Sequence, residues 1–215
     1  FCANQEAVEK FTLDKPALIC RWRMSNKKVP MLNRHIRALS ERLVQGEPLT
    51  HNMLSWAKQH VEWSLAEGDY TAHDGVLMLV IDVNGNAAMT VGEYAPLADT
   101  SAKALRARSA EARSEADETG VAPELLAAVN NGELAFVAPA DECLCGTATL
   151  IEQLAQTKGI PVTRVDIPAQ LKGALFLVSD EHGVVPATET DAAEADAATV
   201  AFFADGYEKL RARRS

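Results

Sequence analysis

Three things are scarce in this sequence: cysteine, basic charge and long apolar runs. The 215 residues contain four cysteines, whose spacing is neither that of a disulfide scaffold nor that of a zinc framework. The 21 basic residues are outnumbered by 30 acidic ones, so the basic footprint that nucleic-acid binding needs is absent. No apolar run approaches the roughly 20 residues that cross a bilayer. We therefore expect a cytoplasmic protein with reduced thiols, and neither a nucleic-acid nor a membrane partner.

The usual signatures of metal and nucleotide chemistry are also missing. The five histidines, at positions 35, 51, 60, 73 and 182, show no metal-ligand spacing. The sequence contains no nucleophile elbow G-x-S-x-G, no P-loop and no G-x-G-x-x-G. It therefore predicts no metal site.

The first ninety residues alternate between strand and helix signals. Apolar spacing predicts a strand over 17–24, helices over 31–44 and 50–66, and a nearly continuous apolar strand over 75–83. The turn Asn84-Gly85-Asn86 then predicts a hairpin with a return strand over 87–91. This order is typical of a small sheet covered by helices.

The second half repeats the combination of sheet and helices. Helix propensity predicts a helix over 102–116, and Asn130-Asn131-Gly132 predicts a second hairpin. A helix over 146–158, strands over 160–165 and 173–178, and a final helix over 196–213 complete the pattern. We predict a mixed α/β protein of two lobes, a smaller one over 1–97 and a second over 98–215.

A resemblance to a known family rests on the order of motifs in the second half. G-E-L-A-F-V-A-P is followed by C-L-C-G-T-A-T-L-I-E-Q-L-A, then K-G-I-P-V-T-R-V-D-I and A-L-F-L-V-S-D-E-H-G-V-V-P-A. This series resembles the carboxyl-terminal lobe of the class IV aminotransferases. These fold-type IV pyridoxal-phosphate (PLP) enzymes include branched-chain and D-amino-acid aminotransferases and aminodeoxychorismate lyase. In the first lobe, A-L-I-C-R-W-R-M and K-V-P-M-L-N-R-H-I-R-A-L are similar to the family more loosely.

The resemblance implies two residues for the chemistry of the cofactor. The family needs a lysine for the Schiff base near the start of the second lobe, and Lys103 is the only lysine between Lys58 and Lys158. The family also places a glutamate against the pyridine nitrogen, and Glu118 lies at a matching distance before the hairpin. The alternatives are a solvated helix lysine and a surface acid at a helix end.

The resemblance also implies a set of residues for the cofactor phosphate. Gly146 and Thr147 open a helix whose amides and dipole suit a dianion, and Thr149 adds a hydroxyl. Ser179 matches the second phosphate-facing turn of the family, and Arg37 is the arginine nearest to the family's phosphate ligand. The alternatives are an ordinary helix cap and an ordinary turn serine.

Two functions follow from the resemblance. The first is a PLP-dependent aminotransferase or aminodeoxychorismate-lyase-like enzyme that acts on a small amino acid, with a small-molecule amino donor and acceptor. The second is a cofactor-less member of the fold that serves as a dimeric binding or interaction protein. Departures from the family pattern at Ala38 and Ala148, and the short stretch from Lys103 to Glu118, favour a shortened or degenerate member.

The two functions, and a third in which the chain is an unrelated acidic α/β binding module, predict different structures. The enzyme needs Lys103 and the start of the helix at 146 to face one cleft between the lobes. The cofactor-less protein has a filled cleft or a solvent-facing Lys103. The unrelated module has no two-lobed cleft at all. A homodimer is expected from the resemblance in the first two cases.

Overall fold

The computed structural model describes residues 13–68, 74–189 and 191–213. The first twelve residues of the predicted first lobe, which include Cys2, lie outside these ranges, and so does His73. The described residues form ten strands and five α-helices. The strands are β1 (Pro16–Met24), β2 (Leu43–Val44), β3 (Glu47–Pro48), β4 (Gly75–Asp82), β5 (Ala87–Gly92), β6 (Leu125–Asn130), β7 (Glu133–Val137), β8 (Val162–Val165), β9 (Ala174–Ser179) and β10 (Gly183–Pro186). The helices are α1 (Leu32–Ser40), α2 (His51–Glu67), α3 (Ala102–Thr119), α4 (Gly146–Thr157) and α5 (Glu194–Arg211).

The first sheet is antiparallel, with the strand order β1-β4-β5, and it is covered by helices on one face. Residues of β1 alternate between buried and partly exposed, which is the period of a strand with one face in a core. Its buried side chains, such as Trp22 and Met24, pack with β4 and with α1 and α2. The alternation in the sequence thus decides which face of the sheet carries the helices.

The second sheet has helices on both faces. Its order is β10-β9-β6-β7-β8, with β7 and β8 parallel and the other pairs antiparallel. All six residues of β9 are buried, as expected for a strand covered on both sides. One face packs Phe136 and Phe176 against α4 and α5, and the other packs Leu126 and Leu177 against Leu105 of α3.

The two sheets meet along the outer edge of β1. The amide of Ile19 donates to the carbonyl of Gly120 at 3.2 Å, and the amide of Arg23 donates to the carbonyl of Asp180 at 2.9 Å. Gly120 ends α3 with a φ of +71°, and a Cβ at this position would overlap the carbonyl oxygen of Ala17. Glycine is therefore required here, both for the left-handed conformation and for the close approach of the two lobes.

The mixed α/β fold predicted from the sequence is confirmed, and most predicted elements are present with ends shifted by a few residues. The first predicted helix, over 31–44, is wrong in its second part because α1 ends at Ser40. A small hairpin of β2 and β3 follows, with Gln45 and Gly46 both at positive φ, the geometry of a tight two-residue hairpin turn. The boundary between residues 97 and 98 stays a prediction, and the segment 93–101 joins the two sheets.

Among the described residues, no helix combines the length and apolar character that crossing a membrane requires.

Candidate functional site

The amino end of α4 lies between the two lobes and has no cap from its own chain segment. Cys145 occupies the N-cap position. Among the described residues, its side chain forms no capping hydrogen bond with the helix. Gly146 and Thr147 are buried, so the first amides of the helix are shielded from water. Because these amides have no partner within the helix and carry the positive end of its dipole, they attract an anion.

The anion at this helix end is the carboxylate of Asp180. Its Oδ1 accepts from the amide of Thr147 at 2.7 Å, and its Oδ2 accepts from the amide of Gly146 at 3.3 Å. Asp180 follows β9 directly, and its own carbonyl is held by the amide of Arg23 in β1. Its side chain is 9% exposed. The position that the resemblance implies for a phosphate therefore holds a carboxylate of the protein itself.

A buried histidine of the first lobe completes this arrangement. Nδ1 of His35 lies 3.3 Å from Oδ2 of Asp180, and the ring stacks on Trp22 with 5.4 Å between ring centroids. His35 is only 3% exposed. A Cβ added to Gly146 would lie 2.5 Å from Nδ1 of His35, so glycine at this position allows the helix to approach the ring. Residues of β1, α1, α4 and β9 thus converge on one point.

The surroundings of Asp180 keep its carboxyl group ionised. Burial alone raises the pKa of a carboxyl group. The nearby charge of His35, its contact with Oδ2 and the hydrogen bond from the Thr147 amide outweigh burial and hold the pKa of Asp180 at about 2. The carboxylate is therefore charged at neutral pH and competes directly with any other anion for the amides of α4.

The threonine hydroxyls of α4 are engaged differently from one another. Thr149 donates from Oγ1 to the carbonyl of Gly146 at 2.7 Å and accepts from Nη1 of Arg34 at 3.1 Å. Thr147 is buried, and within the described residues its Oγ1 has no hydrogen-bond partner.

Ser179, at the end of β9, is buried as well. Its Oγ accepts a hydrogen bond from the amide of His182 at 2.8 Å, which shapes the turn after β9. Four predicted phosphate residues, Gly146, Thr147, Thr149 and Ser179, thus gather around Asp180.

The remaining predicted residues, Arg37, Glu118 and Lys103, do not contact Asp180. Arg37 is exposed on α1, and Glu118 is exposed near the end of α3. Lys103 is exposed in the first turn of α3. Ala112, which lines the cavity between the lobes, follows Lys103 by nine residues, or about 2.5 helical turns and ~13 Å along the axis. Lys103 therefore lies on the opposite face of the helix.

The cavity beside Asp180 is small and lined by paired charges. Its volume is about 20 Å³, which suits about one water molecule, whereas ligand sites usually measure roughly 300 Å³ or more. Nη2 of Arg21 lies 2.6 Å from Oε1 of Glu115, and Nε of Arg108 lies 2.6 Å from Oε2 of Glu124. Side chains of this chain thus fill this part of the cleft, whereas a second cavity between the lobes, lined by Arg34, Arg37 and Thr149, measures about 320 Å³.

Sequence reasoning missed Asp180 and His35, the two side chains at the centre of the site. Both residues stand inside the motifs quoted for the resemblance, but those motifs gave them no role. A signal was present in the cysteine at the N-cap position, because a helix that starts without a capping side chain needs an anion or another acceptor from elsewhere in the fold.

Comparisons with solved structures identify the fold. A protein of Thermotoga maritima, provisionally described as a branched-chain amino acid aminotransferase, aligns with a TM-score of 0.60 at 15% identity over 96% of this chain and 92% of its own. The chain has the fold of the class IV aminotransferases. The resemblance noted in the sequence is confirmed at the level of this fold.

Two further structures with the same fold differ in what they are described to do. A protein of Legionella pneumophila, provisionally described as a 4-amino-4-deoxychorismate lyase, aligns with a TM-score of 0.58 at 11% identity over 94% of this chain and 97% of its own. An aminotransferase of Brucella abortus bound to PLP gives 0.54 at 12% identity, over 92% and 94%. The sequence matches no protein-family model, and it matches none of the curated proteins.

The residues at the start of α4 do not fit the phosphate of PLP. The amides at the start of α4 are taken by Asp180, and a phosphate dianion placed beside a buried carboxylate would meet like charge at short distance. The cavity beside it has room for about one water rather than an aromatic ring. Lys103, on the outer face of α3, does not reach this cavity from its exposed position.

The low pKa of Asp180 predicts a specific pH dependence of stability. Because the folded pKa of about 2 lies below the ordinary value of 3.8, the stabilisation is present above pH 4 and is lost as the pH falls towards 2. Asp180→Asn should therefore lower the free energy of unfolding by about 2 kcal/mol at pH 6, and the difference from the unmodified protein should shrink below pH 3.

Urea unfolding at a series of pH values measures this difference. Asp141→Asn, at an exposed position, is the matched control and should leave the free energy of unfolding nearly unchanged. A difference between Asp180→Asn and the unmodified protein that stays constant from pH 6 to pH 2.5 would show that the charge of Asp180 does not stabilise the fold.

Proposed function

We propose that this chain is a cofactor-less protein with the fold of the class IV aminotransferases, and that it serves as a binding or interaction protein in a homodimer. The observation that carries the proposal is the pair of hydrogen bonds from the Gly146 and Thr147 amides to Asp180. A carboxylate fixed on these amides does structurally what a bound phosphate would do, because it neutralises the helix end and ties the lobes together.

Two further features support the absence of cofactor chemistry. A Schiff-base lysine must lose its proton, which burial promotes, but Lys103 is exposed on the outer side of α3. The charges that line the cleft are paired with each other rather than left for a substrate. The solvent-facing lysine and the paired charges support the second function.

The competing function is a PLP-dependent aminotransferase or aminodeoxychorismate-lyase-like enzyme with a small amino donor and acceptor. The fold and the descriptions of the structural neighbours favour it. It requires Asp180 to leave the α4 amides and Lys103 to turn inward. Each of these changes breaks a contact or a helix orientation described above.

Subunit association and location are part of the same proposal. The homodimer follows from the resemblance to the family, whose active sites lie near the dimer interface. A cytoplasmic location agrees with the described cysteines, Cys20, Cys143 and Cys145, which are free thiols. The proposed partner is a protein or a small ligand, and neither a nucleic acid nor a membrane.

The absorbance spectrum of the full chain during titration with PLP tests the absence of the cofactor. We expect no saturable aldimine band. Borohydride reduction and peptide mapping should then give no more adduct on Lys103 than on the exposed lysines Lys158 and Lys172. The proposal fails if a band saturates near one equivalent, disappears in Lys103→Ala and persists in the matched control Lys172→Ala.

The homodimer is tested by the mass of the protein in solution. Light scattering coupled to gel filtration, at protein concentrations from low to high micromolar, should give twice the 23.2 kDa of one chain. A mass of one chain at every concentration would remove the dimer from the proposal and leave a monomeric binding protein.

A further inference from the structure

Three side chains with metal-binding atoms lie together beside the α4 site. They are Glu124, just before β6, and Glu181 and His182, in the turn between β9 and β10. Their ligand atoms all lie within 4.8 Å of one another. The side chain of His182 is 4% exposed and that of Glu124 is 8% exposed, while Glu181 is 22% exposed. Two carboxylates and an imidazole thus share one largely buried space.

The distances inside this cluster are too long for hydrogen bonds and suit a shared ion. Nε2 of His182 lies 3.6 Å from Oε1 of Glu124 and 4.0 Å from Oε1 of Glu181. This ring nitrogen is therefore within ion-pair range of both carboxylates and is hydrogen-bonded to neither. Ligand atoms around one tetrahedral Zn²⁺ are about 3.3 Å apart, so small inward movements would bring these atoms to coordination distance.

Neighbouring groups hold two of the three side chains in place. The other ring nitrogen of His182, Nδ1, lies 3.3 Å from the hydroxyl of Tyr94, which directs Nε2 towards the carboxylates. Nε and Nη2 of Arg108 donate to the two oxygens of Glu124, at 2.6 and 3.2 Å. Histidine and carboxylate ligands of metals are commonly oriented by a second set of hydrogen bonds of this kind.

Charge and space also favour a cation. Two carboxylates meet here, and Arg108 is bound to only one of them. The cavity of about 20 Å³ between the lobes is lined by Glu124 and Glu181, which gives room for one water as a further ligand.

We propose that Glu124, Glu181 and His182 form a binding site for one divalent transition-metal ion, with Zn²⁺ as the preferred occupant. Imidazole nitrogen with carboxylate oxygen is a ligand set that Zn²⁺ accepts, with three protein ligands and one open position. The site is separate from the function proposed above, because neither the α4 amides nor Lys103 takes part.

Titration of the metal-free full chain with Co²⁺ tests this site. We expect visible absorption bands of coordinated Co²⁺ that saturate at one equivalent and disappear when Zn²⁺ is added. Glu181→Gln and His182→Gln should each weaken binding at least tenfold. His51→Gln and Glu41→Gln, at exposed positions, are the matched controls and should bind as the unmodified protein does.

Either of two results would overturn the proposal. Binding far below one equivalent, or binding that Glu181→Gln leaves unchanged, would show that the cluster is an ion-pair network only. Far-UV circular dichroism monitors the fold of each variant. Since Glu181 is the most exposed member of the cluster, Glu181→Gln decides the outcome if His182→Gln does not fold.

Discussion

The interaction on which the rest of this structure depends is the contact between the Asp180 carboxylate and the amides at the start of α4. It satisfies the amides of a buried helix end that lacks a side-chain cap. It also joins the second lobe to the first, because His35 contacts the same carboxylate and Arg23 binds the same residue through its backbone. One residue, Asp180, therefore contacts the helix start through its carboxylate and the first lobe through both its carboxylate and its carbonyl.

In the function proposed above, this constraint takes the place of the ligand that the architecture suggests. The amides of a helix end of this kind commonly bind a phosphate, and here a carboxylate of the protein itself binds them instead. Beside Asp180 and the pairs Arg21–Glu115 and Arg108–Glu124, the adjacent cavity holds about one water. The architecture is preserved by packing and by these charges, and both are compatible with a binding role.

The sequence predicted the parts of the fold that depend on local signals. The turns at Asn84-Gly85-Asn86 and at Asn130-Asn131-Gly132, and the start of α4 at Gly146, are readable because a few neighbouring residues determine them. The pairing of Asp180 with α4, and of both with His35, depends on three segments that are distant in the sequence. No local spacing encodes such a contact, so the sequence indicated the helix start and Ser179 but not their association with Asp180 and His35.

The most direct test of this account is the thermal stability of Asp180→Ala in inorganic phosphate. We expect that removing the carboxylate lowers the melting temperature, and that phosphate then raises it by several degrees, because the dianion binds the freed amides and the unpaired hydroxyl of Thr147. The unmodified protein should show no such gain relative to chloride at matched ionic strength. An equal gain in the unmodified protein, or no gain in Asp180→Ala, would contradict the account.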